Sequence, residues 1–507
     1  MYIARFRSEN HLDKHLDKIH IGLLLFGFIF FISCAFYKSM WFDEAYTLAL
    51  VKQSIFNIIN ITSYDVHPPL YYLILKIMSF IFGEHIIVYR VISVLGIFLL
   101  AGLGYTHIRK LFGNYVGIYY TFLLIFVPIM LEYSSEVRMY SWAAFFTTAS
   151  SIYAYITYKT NAKKDWILLI FFSVCAAYTH YYALLGIMFV NLTLLIAVML
   201  DNKHLLKNYF IAALIQILLF VPWAFILIRQ TMSVVQEYWI VIQWNYLLKD
   251  FFSFYFGTNI PFIIAVLLTS LLIIFSIITL YICFKNAKDN VIISIVCLFI
   301  YFGVIVTALI LSIIKPIFIV RYLMPNTGIL IIAISILLAS YQKKIIPATI
   351  CGIILLSSIF NFYFQATKIY SYSNYLLENN IEYSLKPDDI FVYTDIHPAG
   401  IYSVLYPNNK HFVFFDDENA IPDHRPKPFY PELKIVYNLN DLTNYEGRIW
   451  LIEGSDSQSL YGVWGAHEEM FKVIDYARTF DMPYLGSKGF VFVTSFFEKK
   501  LGVAPKN

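Results

Sequence analysis

Two adjacent carboxylates and a histidine follow the first long apolar run of the chain. Asp43 and Glu44 are neighbours in the segment WFDEAY, and Asp65 and His67 follow in DVHPPLYY. Two carboxyl groups at an apolar wall can differ in pKa, so that one stays ionised and accepts a proton. Acidic residues also favour the first turn of a helix. The pair therefore suits general-base chemistry, with a solvated helix cap as the alternative.

Cationic and imidazole side chains occur in three further segments. Glu136 and Arg138 lie in EYSSEVRMYSW, His180 in AAYTHYYALL, and Arg321 in VRYLMP. A guanidinium can grip a phosphate with two parallel hydrogen bonds. Each residue also has a simpler interpretation: Arg138 pairs with a nearby carboxylate, His180 is a hydrogen-bonded packing residue, and Arg321 extends to lipid headgroups.

The composition restricts the class of protein that carries these residues. Of 507 residues, 59% are hydrophobic, 19% aromatic and only 14% charged, whereas soluble domains carry about 25% charge. These values exclude a soluble enzyme, a disordered chain and a nucleic-acid binder, and the net charge of +4 is too small to attract a polyanion. Five cysteines are scattered singly, so they indicate neither a disulfide framework nor a zinc site.

Apolar runs long enough to cross a bilayer recur along the first two thirds of the chain. A transmembrane helix needs roughly 20 apolar residues, and about eleven runs are predicted to span. The stretch Leu70–Phe82 is too short, which favours a re-entrant or interfacial helix within one outer loop, 41–85. The predicted spans are approximately residues 21–40, 86–107, 115–131, 141–158, 166–179, 181–200, 209–228, 259–283, 291–314, 322–340 and 345–364.

Loop charges predict the orientation of these helices. Lysine and arginine accumulate in alternate short loops, as expected of cytoplasmic loops, which also places the N-terminus in the cytoplasm. After residue 364 the sequence becomes β-rich, with predicted strands at 390–393, 412–415, 448–452 and 490–494. We therefore expect an α-helical polytopic membrane protein, with a transmembrane catalytic domain, 1–364, and an extracytoplasmic α/β domain, 365–507.

On this topology the carboxylate, arginine and histidine segments all face the outer side. Together they supply a base, cations for a phosphate and an aromatic surround, which fits group transfer from a lipid-linked phosphate donor. A transporter would more often carry charges near the midplane and broken helices in paired halves. A lipid-linked glycan transporter, or a non-catalytic scaffold that presents the outer domain, remains the alternative.

Six segments in this order resemble a known enzyme group. WFDEAY, DVHPPLYYLILK, VYRVISVLG, YSSEVRMYSW, YTHYYALL and RYLMP are similar to the glycosyltransferase family 39 group of the GT-C superfamily, which includes protein O-mannosyltransferases and the lipid A aminoarabinose transferase. The resemblance covers about residues 20–345. It implies a multi-spanning, inverting enzyme that passes a sugar from a polyprenyl-phosphate carrier to an acceptor hydroxyl on the outer face.

The resemblance also implies roles for individual residues. Asp43 would be the general base, and Glu44 would orient the acceptor. His67 stands where some relatives carry lysine and would contact the donor phosphate, so binding would depend on pH if His67 must be charged. Further residues are expected at the donor phosphate (Arg138 and Arg321) or in the substrate pocket (Asp65, Tyr71, Glu136, His180 and Tyr181).

The expected partners follow from the same resemblance. They are a polyprenyl-phosphate sugar as donor, a glycan, lipid or protein as acceptor, and membrane lipid, with no nucleic acid. The sequence implies no divalent metal and no certain cofactor, and it does not distinguish among donor sugars. Its wealth of Ile, Phe, Tyr, Asn and Lys hints at a bacterium with AT-rich coding, and we expect the chain in the inner (plasma) membrane of the cell envelope.

Overall fold

The computed structural model describes most of the chain. The described residues are 11–37, 40–233, 244, 247–257, 260–285, 290–379, 385–414, 427–437, 449–454, 471–482 and 490–499. The chain divides into two compact units, which we call the helical unit (Met1–Phe36 with Val66–Phe364) and the mixed unit (Tyr37–Asp65 with Gln365–Asn507). Residues 41–65, expected to form part of an outer loop of the transmembrane domain, group with the C-terminal segment.

Eighteen α-helices occur within the described residues. In chain order they are α1 (His11–Tyr37), α2 (Phe42–Lys52), α3 (Ile55–Thr62), α4 (Leu70–Phe82), α5 (Ile86–Leu103), α6 (Arg109–Phe112), α7 (Asn114–Phe126), α8 (Pro128–Ser134), α9 (Tyr140–Thr160), α10 (Lys163–Ala177), α11 (Tyr181–Asp201), α12 (Leu206–Ser233), α13 (Leu247–Phe256), α14 (Phe262–Lys285), α15 (Asn290–Ile314), α16 (Met324–Ala339), α17 (Ile345–Asn379) and α18 (Ile396–Leu405). A π-helical turn, Gly104–Ile108, joins α5 to α6.

Among the described residues, seven helical spans are long and apolar enough to cross a membrane, which confirms a multi-pass membrane protein. An eighth span is possible if the pair α7 and α8, bent by 65° just before Pro128, counts as one. The other three predicted runs coincide with α9, α10 and α14, so the number of eleven stays a prediction. The seven spans are Asp13–Phe36, Ile86–Phe112, Tyr181–Asp201, Lys203–Met232, Asn290–Ile314, Val320–Ala339 and Ile345–Phe364.

Helix α9 lies at the centre of the helical unit, where it packs against α5, α10, α11 and α16. Small residues on α9, among them Ala143, Ala149 and Ser150, are fully buried. Small side chains let helix backbones approach closely, which is how apolar helices associate in lipid. The hydroxyls of Ser150 and Ser173 are 2.8 Å apart, and this hydrogen bond ties α9 to α10.

Helix α4 has the bounds expected from the sequence. Its thirteen residues extend about 20 Å, which is less than the hydrocarbon thickness of about 30 Å. The backbone N–H of Leu70 donates to the carbonyl of Tyr178 at 3.1 Å, so the start of α4 is fixed to the end of α10. This joint places the loop before α4 beside the turn between α10 and α11. An interfacial position of α4 in the membrane stays a prediction.

The mixed unit contains α2, α3, α18 and a six-stranded sheet. The sheet order is β3-β2-β1-β4-β6-β5; the first four strands are parallel, and β6 runs antiparallel to β4 and β5. The strands are β1 (Ile390–Tyr393), β2 (Lys410–Phe414), β3 (Leu433–Val436), β4 (Ile449–Gly454), β5 (Phe471–Met482) and β6 (Phe490–Lys499). The four predicted strands are confirmed, although residues 415 and 448 lie outside the described residues.

A buried histidine joins two central strands of this sheet. His411 on β2 is 1% exposed. Its Nδ1 is 2.9 Å from the hydroxyl of Tyr393 on β1, and its Nε2 is 2.8 Å from the carbonyl oxygen of Tyr406. Burial lowers the pKa of His411 to about 4, against a smaller opposing effect of the hydrogen bond to Tyr406. The ring is therefore neutral in the folded sheet at neutral pH.

We predict that His411 makes the sheet sensitive to acid. The unfolded chain binds a proton near pH 6.5, whereas the folded chain binds it near pH 4. The stability that the folded sheet gains from a neutral His411 is thus complete above pH 6.5 and is lost as the pH falls towards 4. At pH 5 the loss in the free energy of opening is about 2 kcal/mol, or roughly 30-fold in the opening equilibrium.

Hydrogen exchange of the β1 and β2 amides in the full-length protein measures this loss. His411→Gln, a neutral side chain of similar reach, should reduce the drop in protection between pH 7 and pH 5. The exposed His204 provides the matched control, His204→Gln. An equal drop in wild type and His411→Gln would contradict the prediction.

Candidate active site

Two buried histidines meet where α4 is joined to the turn between α10 and α11. The ring centroids of His67 and His180 are 5.3 Å apart. Their side chains are 4% and 1% exposed, so both rings are removed from water. The backbone bond between Leu70 and Tyr178 accounts for this proximity, since His67 precedes Leu70 by three residues and His180 follows Tyr178 by two.

His180 caps α11, and the cap determines which ring nitrogen carries the proton. Its Nδ1 accepts a hydrogen bond from the backbone N–H of Tyr182 at 3.0 Å. A neutral imidazole whose Nδ1 accepts carries its hydrogen on Nε2. The Nε2 of His180 and the Nδ1 of His67 are buried and have no hydrogen-bond partner among the described residues. The cluster therefore contains polar ring atoms with unused hydrogen-bonding capacity, which is rare in protein interiors.

Aromatic rings enclose the two histidines. The ring of Tyr322 lies edge-on, with its centroid 5.0 Å from His180 and 5.8 Å from His67. Tyr140 at 5.7 Å and Tyr182 at 5.9 Å complete the surround of His180. These rings restrict water, so charged groups within them interact more strongly than they would at the surface.

Arg138 and Arg321 supply the positive charge. Arg138 is 5% exposed, and its Nη1 donates to the Tyr72 hydroxyl at 3.3 Å. The Arg138 N–H also donates to the carbonyl of Glu136 at 2.7 Å, which closes a tight turn before α9. Arg321 lies in a 3-10 turn, Val320–Leu323, that leads into α16.

Burial, reinforced by the two arginines, keeps both imidazoles neutral at neutral pH. Burial lowers the pKa of His67 well below its usual value, and Arg138, His180 and Arg321 lower it further. Burial, Arg138 and Arg321 lower the pKa of His180 to about 3. At neutral pH His67 is therefore a neutral hydrogen-bonding group, and its contact with the donor phosphate stays a prediction.

Two guanidiniums and two neutral imidazoles are suited to an oxyanion. The arginines attract the negative charge, and an imidazole N–H donates a hydrogen bond to it. Glu136, 3% exposed, acts electrostatically on Tyr140 together with both arginines, so the cluster also contains a carboxylate. In the described part of the chain, no group of three or more His, Cys, Asp or Glu could hold a metal ion.

The two predicted pocket tyrosines of the helical unit, Tyr71 and Tyr181, form hydrogen bonds outside the cluster. The Tyr71 hydroxyl is 2.7 Å from Ser93 Oγ, and its ring contacts Tyr72, which accepts from Arg138. The Tyr181 hydroxyl donates to Gln230 and accepts from the Trp223 indole on α12. Their assignment to a substrate pocket stays a prediction.

Three of the four predicted carboxylates, Asp43, Glu44 and Asp65, belong to the mixed unit. Asp43 and Glu44 lie in the first turn of α2, where acidic residues are favoured by the helix dipole. Glu44 is fully buried, whereas Asp43 is half-buried and its backbone carbonyl accepts from Thr47 Oγ1 at 2.9 Å. Asp65 is half-buried, and its N–H donates to the Thr62 carbonyl at 3.2 Å.

The sequence did not indicate four tyrosines that contact the cluster of His67, His180 and the two arginines. Each tyrosine lies in a segment that the sequence singles out for a different residue. Tyr140 follows Arg138 by two positions, Tyr182 follows His180 by two, and Tyr322 is adjacent to Arg321, while Tyr72 is next to Tyr71. The pairing of a charged or imidazole group with a nearby tyrosine in each segment was the available signal.

Comparisons with known proteins bear on this arrangement. Residues 66–226, which include His67, Arg138 and His180, match the family model of dolichyl-phosphate-mannose-protein mannosyltransferases. The fold is similar to the crystal structures of ArnT from Cupriavidus metallidurans in the apo state (10% identity, TM-score 0.58) and bound to undecaprenyl phosphate (11% identity, TM-score 0.59). Each alignment covers 94% of this chain and 97% of the ArnT chain. No curated protein matches significantly.

The resemblance predicted from the sequence is thus confirmed by a family-model match over residues 66–226 and by a shared fold. The structural alignment extends over both the helical and the C-terminal segments, well beyond the residues matched by the family model. At this low identity the similarity to ArnT establishes the fold.

We predict that His180 has a capping role separable from its Nε2. His180→Ala removes the acceptor for the Tyr182 N–H, which costs about 1 kcal/mol at a helix N-terminus. His180→Asn keeps a capping acceptor and removes only the imidazole. Thermal unfolding in detergent should show a lower midpoint for His180→Ala than for His180→Asn. Equal midpoints for the two variants would argue against the capping role.

Proposed function

We propose that this chain is an integral-membrane inverting glycosyltransferase that moves a sugar from a polyprenyl-phosphate donor to an acceptor hydroxyl at the outer face of the membrane. The cluster of buried His67, Arg138 and His180 with half-buried Arg321 carries this proposal, because its charge and open hydrogen-bonding groups suit a phosphate. The description of the matched family names dolichyl-phosphate-mannose, and one ArnT structure is bound to undecaprenyl phosphate. Both descriptions support a polyprenyl-phosphate partner.

The cluster would act on the leaving phosphate. As the bond between the anomeric carbon and the phosphate oxygen breaks, negative charge grows on that oxygen. Arg138 and Arg321 are held in place before the reaction, so they stabilise this charge without reorganising. His180 would donate through Nε2–H, and His67 would contact the same phosphate as a neutral imidazole.

Asp43 would act on the acceptor. Its carboxylate takes the proton from the acceptor hydroxyl while the hydroxyl oxygen bonds to the anomeric carbon from the face opposite the phosphate. A single displacement of this kind inverts the anomeric configuration. Glu44 would orient the acceptor, and Asp65, Tyr71, Glu136 and Tyr181 would contribute to the substrate pocket.

The setting we propose is the inner membrane of a bacterium. The N-terminus would be cytoplasmic and the C-terminal domain extracytoplasmic, where a glycan, lipid or protein of the cell envelope could serve as acceptor. The lysine-rich and arginine-rich alternate loops support this orientation.

We predict that Asp43→Asn nearly abolishes transfer, with a loss of about 10² to 10⁴ in rate, because an amide cannot accept the hydroxyl proton. The full-length protein is reconstituted in lipid with a panel of polyprenyl-phosphate sugars and candidate acceptors. Mass spectrometry follows the release of free polyprenyl phosphate from each donor.

Glu432→Gln, the same chemical change at an exposed position of the mixed unit, is the matched control and should keep wild-type activity. Release from one donor that disappears in Asp43→Asn supports the assignment and identifies the sugar. Equal release by wild type and Asp43→Asn would remove Asp43 as the base. A folded wild type that releases nothing from any donor would count against the glycosyltransferase and favour the transporter.

We also predict that donor affinity is constant between pH 6 and pH 8. The donor is a phosphodiester, which carries one negative charge throughout this range, and the lowered pKa values of His67 and His180 keep both imidazoles neutral. Binding of a radiolabelled donor to Asp43→Asn without an acceptor, so that turnover is minimal, measures the affinity directly. A donor affinity that falls as the pH rises through 6.5 would indicate that a protonated histidine holds the phosphate.

A further inference from the structure

The helix that carries the predicted base is packed on the C-terminal domain at its first residue. Phe42 opens α2 and immediately precedes Asp43. Its ring centroid is 4.6 Å from His397 of α18 and 5.8 Å from Phe429. All of these residues lie within the mixed unit.

A glycine in α18 allows this close approach. A Cβ built on Gly400 would lie 2.9 Å from Cε2 of Phe42 and 2.5 Å from Cζ of Phe429. Carbon atoms that are not bonded to each other rarely come so close, since their optimal separation is about 3.5–4.0 Å. The absence of a side chain at Gly400 therefore lets Phe42 and Phe429 both pack against α18.

His397 is itself held in a defined orientation. Asp395, the N-cap residue of α18, accepts from the backbone N–H of His397 at 2.7 Å, and its Oδ1 is also 2.7 Å from the His397 Nδ1. The ring that contacts Phe42 is thus fixed by a carboxylate, and it cannot turn away without losing that contact.

The remainder of α2 is attached to the same domain. The Tyr46 ring lies edge-on to Phe429 with a centroid distance of 6.2 Å. At the other end of the helix, the Gln53 side-chain amide donates to the carbonyls of Tyr430 at 3.0 Å and Pro428 at 3.4 Å. Contacts at both ends leave α2 little freedom to rotate or shift.

We propose that the C-terminal domain positions the Asp43–Glu44 pair by clamping Phe42 between His397, Gly400 and Phe429. The role of Asp43 rests on the proposed function, and the clamp adds a task for the domain that the sequence left unassigned. A displacement of about 1 Å at a reacting group can cost as much as 10²-fold in rate. His397, Gly400 and Phe429 are accordingly positioning residues, which act on the reaction through α2.

Gly400→Ala in the full-length protein tests the clamp. Alanine in place of glycine ordinarily stabilises a helix, so a role of Gly400 confined to α18 predicts unchanged or better behaviour. The clamp predicts the opposite: faster hydrogen exchange in α2 and a kcat lowered about 10-fold or more. Donor affinity should be unchanged, because the proposed phosphate ligands are all in the helical unit.

Two further variants make this test specific. Gly352→Ala adds the same methyl group where no atom lies within 4 Å, and it should match wild type in exchange and kcat. Phe42→Leu has a smaller side chain, which removes the close approach of the added methyl to Phe42 Cε2 and leaves only its contact with Phe429. The double variant Phe42→Leu/Gly400→Ala should therefore be less impaired than the product of the two single effects.

The two proposals fail in different ways. If wild type releases polyprenyl phosphate but Gly400→Ala keeps both its kcat and its α2 exchange, the clamp is overturned and the function stands. Purely multiplicative effects of Phe42→Leu and Gly400→Ala would also overturn it. If wild type releases nothing from any donor, the proposed function fails, and α2 exchange in Gly400→Ala still decides whether the clamp exists.

Discussion

Burial of positive charge beside neutral imidazoles is the constraint on which the helical unit depends. A guanidinium removed from water is costly unless hydrogen bonds and opposite charges compensate for it. Arg138 has the Tyr72 hydroxyl as one such partner. His67 and His180 remain neutral and keep ring nitrogens available. Such an arrangement is costly for stability alone, which is why perturbed ionisable groups often mark functional sites.

Several local devices bring this cluster together. One backbone hydrogen bond joins α4 to α10, a histidine caps α11, a tight turn precedes α9, and a 3-10 turn leads into α16. Each device fixes one helix end, and each end contributes one functional side chain. Helix ends are suitable for this purpose, because their free backbone groups and short loops hold a residue in place while the helices provide rigidity.

In the mixed unit, tertiary packing must stabilise the short helix that carries Asp43 and Glu44. Helix α2 is short, so it gains its stability mainly from tertiary packing, and here that packing is on α18 and the segment around Phe429. The parallel strands that pack against α18 are buried. Stacked rings pack across them, including Phe391 and His411 with centroids 5.0 Å apart. A rigid sheet thereby supports the helix that carries Asp43 and Glu44.

The sequence alone determined the elements whose cause is local. Hydropathy over each apolar run predicted the helices, including both ends of Leu70–Phe82, and β-branched and aromatic residues between turns predicted the strand Ile390–Tyr393. The order of six segments was enough to predict the resemblance that the family model and the shared fold bear out. Only the tertiary structure decided that His67 and His180 are neutral, that four tyrosines surround or hold the cluster, and that residues 41–65 group with the C-terminal segment. The charge of a buried ring and the neighbour of a helix end depend on residues distant in the chain, and no local pattern records which distant residues those are.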